Sequence, residues 1–485
     1  MTDARFLLED GHAALEISGS GPRPAAVSLR GPRARVEARL HGRGRTWRAV
    51  LPLRAARWGG PQLPLPTGEY RLHIDEGDAT DALAPAAALP LTQLPGLRAA
   101  WAEGLLRVGP PVDPAYDSGE GQAALERRYA TSRQPLENAV FFESFYGRTA
   151  GCNPLAIDRE LARVAPTVTR YWSVVDLSVA VPDGAVAVVE GSPEWWRARA
   201  AARLLVVNDW LRRRFVRKPG QTVLQTWHGT PLKRLALHRP GFDPRRMLAV
   251  IREGRRWNIL LAQSPYAARV LSRAYAFRRR PVWVEGYPRN DSLQTDDGAT
   301  TRRNLGIALD ERVLLYAPTW RDDREAMVDF LDPAALAAAA DAVVLVRGHT
   351  RTLQPGEDAR GPRVIDVTGF PDTARLLAAA DALITDYSSV MFDFSITGKP
   401  IYFLVPDLEH YRGELRGFYF DLLDAAPGLV VRTQDELERA LDDVDPEIFR
   451  ERYERFQRVF VAREDGRAGE RVVARILDQG IVDRE

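Results

Sequence analysis

The feature that most constrains the fold is a change of rhythm after Ala123. From there, apolar β-branched runs alternate with longer charged segments of helical character: AVFF, TVTRYWSVV, AVAVV, RLLVV, TVLQTW, ILLA and PVWVE, then RVLLYAP, AVVLVRG, RVIDV, ALITD, PIYFLV and GLVVR. Continuous apolar runs suit parallel strands that are covered on both faces by helices. The two sets are separated by GYPRNDSLQTDDGA, a crossover. The pattern predicts an α/β chain with two doubly wound, Rossmann-like domains facing a cleft, over residues 119–290 and 291–485.

Upstream the reading differs. Residues 1–82 carry short alternating segments, among them AALEISG, AAVSLRG, WRAVLPLRA and GEYRLHID, punctuated by Gly and Pro. That is the pattern of a small accessory β domain. Residues 83–118 are rich in Pro and Ala and read as a linker. Trp47 and Trp58, set among basic residues, hint at a membrane or partner attachment, with simple burial as the plainer alternative.

Composition narrows the function. Lys plus Arg number 67 against 65 Asp plus Glu, without the basic excess of a nucleic-acid binder. Cys152 is the only cysteine, so neither an intrachain disulfide nor a cysteine metal cluster can form. The start, MTDARFLLEDGH, lacks the apolar core of a signal peptide, and no stretch reads as a spanning helix. A cytoplasmic protein is expected, touching a membrane only peripherally.

In doubly wound sheets, ligands sit at the carboxyl ends of strands, and five apolar runs end in polar clusters there. TVLQTW leads to His228-Gly229-Thr230-Pro231, PVWVE to Gly286-Tyr287-Pro288-Arg289-Asn290-Asp291, and LLYA to Pro318-Thr319 and then Asp322-Asp323. VVLV leads to Arg347-Gly348-His349, and ALIT to Asp386-Tyr387-Ser388-Ser389. Taken singly, each is ordinary: a structural histidine, a Gly-Pro turn, a serine N-cap, a surface arginine. Their conjunction at the cleft suits a diphosphate. Ser388-Ser389 opens a predicted helix, whose first N–H groups are free, and arginine forks pair bidentately with phosphate. Asp393, a turn further on, is placed to accept from a ribose or polyol hydroxyl. Neither GxGxxG nor GxxxxGK[ST] stands at a strand–helix junction. Asp322 and Asp323 are adjacent and converge poorly on one ion, so neither metal nor other cofactor is expected.

These strings, in this order, resemble the CDP-glycerol glycerophosphotransferase family, the teichoic-acid and capsule polymerases with a GT-B-like fold. The resemblance runs from about Ala139 to Val461 through FFESFYG, Asn153-Pro154, LQTWHGTPLKRL, SPYAARV, GYPRND, LYAPTWRDD, RGH, TDYSSVMFDF, GKPIYF and DLEHYRGELRGFYFDL. It implies a CDP-glycerol donor near Trp227, His228, Gly229, Thr230, Pro231, Arg289, Pro318 and Thr319. The same donor would meet Arg347, Gly348, His349, Ser388, Ser389 and Asp393. It further implies His228 and His349 as the functional histidines, CMP as leaving group, and a lipid-linked polyol-phosphate acceptor at the cytosolic membrane face. On that footing His228 is the expected base, with His349 and arginines holding phosphate charge. Two departures stand out. Thr350 follows His349 where the family usually has proline, and Gly151-Cys152-Asn153-Pro154 replaces a Ser-Asp-Asn-Pro run. The alternatives are a CDP-ribitol ribitolphosphotransferase, a nucleotide-sugar glycosyltransferase on the same fold, or a silent polymer-binding protein.

Overall fold

The computed structural model describes residues 3–42, 45–75, 77–78, 88–319, 330–348, 361–411, 417–443 and 445–484. The chain forms two compact units. One comprises Met1–Ser132, Tyr146–Ala150 and Tyr171–Ala200; the other comprises Arg133–Phe145, Gly151–Arg170 and Ala201–Glu485.

Among the described residues, the first unit holds two larger antiparallel sheets and a two-stranded one, Arg54–Ala56 with Gln62–Pro64. One has the order Asp3–Glu9, His12–Ser20, Thr46–Pro52, Arg39–His41. The other runs Leu89–Leu94, Leu97–Ala102, Leu105–Gly109, Gly68–Ile74, Val27–Arg30, Arg35–Glu37, with Gly77–Asp78 beside Gly68–Ile74. Alternation puts Leu15, Ile17, Leu29, Leu51, Leu72 and Trp101 into one shared apolar core. Trp47 belongs to that core, so burial is its role.

The linker expected over 83–118 is not what forms there. Residues 89–109 supply three strands of the second sheet, so the β domain runs well past residue 82. Leu97, Ala99, Trp101, Leu106 and Val108 are all buried. The proline and alanine count hid this short alternation, because composition carries no period. The unit also ties Thr67 to Asp176, backbone N–H to Oδ2 at 2.8 Å, and Arg57 to the Ser178 carbonyl at 3.1 Å.

The second unit carries most of the parallel strands, while the parallel pair Thr169–Val174 and Val186–Val189 falls mainly in the first. Glu137–Glu143, Ala202–Val207, Thr222–Gln225, Ile259–Ala262 and Val282–Val284 lie side by side in that order, each parallel to the next. The second sheet is built from Arg312–Ala317, Ala342–Val346, Val364–Asp366, Ala382–Thr385, Ile401–Leu404 and Leu429–Val431. Counted in chain order, these strands lie 3-2-1-4-5-6, all parallel, the doubly wound order. The strands Ala342–Val346, Ala382–Thr385 and Ile401–Leu404 are buried throughout, as helix cover on both faces requires.

The span 291–485 does not stay with the second sheet. The last helix, Ala468–Asp478, packs on the helix Cys152–Val164, and the chain end reaches the first sheet through Asn138 and Arg203, both bonded to Asp483. Asp291 accepts from the backbone N–H groups of Ala468 (2.9 Å) and Gly469 (2.7 Å), capping that helix. Among the described residues no helix is long and apolar enough to cross a membrane.

Candidate active site

His228 follows the strand Thr222–Gln225, after Trp227 in a left-handed conformation (φ 52°). Its Nδ1 lies 2.6 Å from the Asn208 carbonyl oxygen. A carbonyl only accepts, so Nδ1 carries the hydrogen, and in the neutral ring Nε2 is the nitrogen with the lone pair. The ring stacks on Trp227 at 4.7 Å between centroids and meets Phe145 at 5.5 Å. Asn208 is itself held, its Nδ2 donating to Ser144 Oγ at 3.0 Å and its Oδ1 accepting from the Phe145 N–H at 2.8 Å. The imidazole is therefore fixed in tautomer and in plane.

Gly229 is where the loops of the two sheets meet. A Cβ there would lie 2.7 Å from Ser389 Oγ, so only glycine fits without displacing the serine. Ser388 and Ser389 precede the short helix Val390–Phe394, and Ser388 Oγ accepts from the Val390 N–H at 3.4 Å. Thr230 Oγ1 donates to Gln263 Oε1. The carbonyl of Pro231 accepts from Tyr266 Oη at 2.8 Å.

Arg289 and Asp393, both expected to face a ligand, pair with each other. Arg289 Nη2 donates to Asp393 Oδ2 at 2.6 Å, with the two side chains 12% and 8% exposed. Arg289 Nη1 donates to Cys152 Sγ at 3.1 Å, and its guanidinium lies 5.0 Å from the Tyr287 ring centroid. Burial by itself lowers the Arg289 pKa, but Asp393 and Cys152 outweigh it and hold the group firmly charged. Asp393 Oδ1 accepts from Asn290 Nδ2 at 2.9 Å and Gln263 Nε2 at 3.3 Å. Asn153, fully buried, gives its Nδ2 to the carbonyls of Thr226 and Trp227 and takes the Arg289 backbone N–H on Oδ1. GYPRND thus stitches these elements together, where a ligand loop was expected.

Arg347 is also spent locally. Its guanidinium donates to the carbonyls of Val367 (3.2 Å) and Phe370 (3.1 Å) and to Thr373 Oγ1 (2.9 Å). Burial pushes its pKa down to about 10, because the neighbouring acceptors are neutral and the facing carboxylates, Asp372 and Asp366, restore only part. The Gly348 N–H donates to Thr368 Oγ1 at 3.0 Å, and the Thr319 N–H to Asp386 Oδ1 at 2.8 Å. Pro318 is half-buried beside it. His349, Asp322 and Asp323 lie outside the described residues. Among the described residues no group of three or more His, Cys, Asp or Glu could hold a metal ion.

Sequence reasoning missed Asn208, Gln263, Asn290 and Glu464 as site members. Asn290 sat inside a quoted motif, and Gln263 immediately precedes SPYAARV. Asn208 directly follows the apolar run RLLVV, a strand end that was passed over, whereas Glu464 carries no local signal.

Residues 128–478 match the family model described as CDP-Glycerol:Poly(glycerophosphate) glycerophosphotransferase. The chain belongs to that family. Its description names the donor, CDP-glycerol, and the acceptor class, poly(glycerophosphate). Among curated relatives, the teichoic acid poly(glycerol phosphate) polymerase of Bacillus subtilis (strain 168) is 36% identical over 369 residues, covering 70% of this chain and 49% of that protein. The chain therefore spans about half the length of that relative. It covers far more of the teichoic acid glycerol-phosphate transferase of Staphylococcus aureus (strain NCTC 8325 / PS 47), 34% identical over 385 residues and 94% of that protein. Among solved structures, the wall teichoic acid polymerase TagF superimposes with a TM-score of 0.68 at 29% identity, over 75% of this chain and 94% of that one. The GT-B-like expectation holds.

Proposed function

We propose that this protein transfers glycerol phosphate from CDP-glycerol to the hydroxyl end of a lipid-linked teichoic-acid or capsule-type polymer and releases CMP. The observation that carries the reading is the imidazole of His228. Its Nδ1 is committed to the Asn208 carbonyl and its Nε2 has no partner among the described residues, on a loop that abuts Ser389 of the opposite sheet. In this mechanism Nε2 takes the acceptor hydroxyl proton as that oxygen attacks the phosphorus bearing the glycerol. The bond from this phosphorus to the bridging oxygen breaks, and CMP carries the electrons away. Arg289 turns from Asp393 to the diphosphate, and the N–H groups beside Ser388 and Ser389 stabilise developing charge. His349 would share that task.

Glycerol is preferred to ribitol. The glycerol-phosphate relatives quoted above are 34–36% identical over 70–71% of this chain, whereas a ribitol-phosphate primase of Bacillus spizizenii is 27% identical over 56%. A peripheral seat at the cytosolic membrane face is supported by the helix Pro244–Arg256. Phe242 just before it is 85% exposed and Leu248 within it 54%, among the exposed Arg245, Arg252 and Arg255. Incubation with radiolabelled CDP-glycerol and a lipid-linked glycerol-phosphate primer, followed by sizing of the product, tests the reading. Extension with CMP release is expected. Transfer only from CDP-ribitol, or only from UDP- or GDP-sugars, would replace it.

A further inference from the structure

Glu464 lies between the helices Arg450–Phe460 and Ala468–Asp478, where the chain returns from the second sheet to the first. Gly286 (φ 83°) lets it come close, since a Cβ there would lie 2.7 Å from the Arg463 carbonyl. Glu464 Oε1 accepts from the Tyr287 N–H (2.9 Å), Gln263 Nε2 (2.8 Å) and Asn290 Nδ2 (3.3 Å). The same two amides serve Asp393 Oδ1. Two carboxyl groups therefore hang on one pair of amide donors. Asp393 has Arg289 as counter-charge. Glu464 Oε2 is shut away from solvent and accepts no hydrogen bond from the described residues.

The charged groups around Glu464 do not neutralise it. Among the described residues, Asp393 faces it from the helix Val390–Phe394 and Tyr287 from the turn after Val284, while Arg289 of the same turn is directed to Asp393 and Cys152. Asp291, on the same turn, is taken by the N–H groups of Ala468 and Gly469. The cations of its own segment turn elsewhere: Arg463 to Glu285, Arg467 to Glu470, and Arg471 to Asp465 and Glu285.

We infer that Glu464 carries a proton beside the Asp393–Arg289 ion pair and is a positioning residue for the donor site. Its proton lets Arg289 leave Asp393 for the donor diphosphate without stranding two adjacent buried carboxylates. The inference rests on the proposed reading of Arg289 as a diphosphate ligand. Burial pushes the Glu464 carboxyl up to about 8, its three N–H donors opposing and Asp393 assisting. Once Arg289 departs, the Asp393 charge acts on Glu464 without its counter-cation and raises that carboxyl further, so donor binding above about pH 8 draws a proton from solvent.

Calorimetric titration of the full chain with CDP-glycerol, in buffers of different ionisation enthalpy, counts that proton. Wild-type protein should take up about half a proton more at pH 8.5 than at pH 6.5. Glu464→Gln, neutral at every pH and of the same shape, should bind without that difference. Equal uptake by the Gln variant and the wild type overturns the inference. So does a wild-type uptake that is the same at both pH values, a result that needs no variant to fold. If the wild type does not bind CDP-glycerol at all, the donor reading itself has failed, and this inference with it.

Discussion

Asp393→Ala separates a ligand-facing aspartate from a structural one. In the structure Asp393 is the carboxylate that faces the buried guanidinium of Arg289, and it also accepts from two buried amides. Removing one partner of a buried ion pair leaves an uncompensated charge and costs about 3–5 kcal/mol. At about 2–4 °C per kcal/mol, the expected fall in melting temperature is about 6–20 °C. Replacing both partners, Asp393→Ala with Arg289→Met, strands no charge and should recover most of that loss. Thermal melts of the three proteins, followed by tryptophan fluorescence with and without CDP, measure it. A single variant that melts with the wild type while losing CDP affinity would refute the argument, because Asp393 would then be free for ligand. A double variant as unstable as the single one would refute it equally.

His228→Gln should lower turnover about 10²–10⁴-fold while CDP still binds, since an amide cannot take the acceptor proton; steady-state kinetics beside CDP titration decides, and near-wild-type turnover would reduce His228 to positioning. Gly229→Ala should weaken CDP binding, because the new methyl meets Ser389 Oγ, and adding Ser389→Gly should restore part of the affinity; no recovery would locate the damage in the backbone of the 227–231 loop. Phe242→Glu with Leu248→Glu should reduce sedimentation with anionic phosphatidylglycerol vesicles while leaving the melting temperature within about 2 °C, as both side chains are exposed. Unchanged sedimentation would place the membrane contact elsewhere.

The two doubly wound layers were legible because strands covered on both faces must be apolar at every position, and runs such as AVVLV and IYFL show that locally. His228 was legible for a related reason: the end of a strand is where a parallel sheet presents side chains to a ligand. The strands at 89–109 were not, since an alternation of five or six residues is easily masked by neighbouring prolines and alanines.

What the sequence by itself determined is the fold class, the family-specific strings and the presence of histidine, arginine and serine at the strand ends. Only the tertiary structure decided which of these groups remain available. Arg289 and Asp393 stand 104 residues apart and neutralise each other, Arg347 is consumed by the carbonyls of 367 and 370, and Glu464 enters the site from an unremarkable charged segment. Charge compensation and desolvation depend on distance through space, and a one-dimensional pattern carries no record of which buried groups meet.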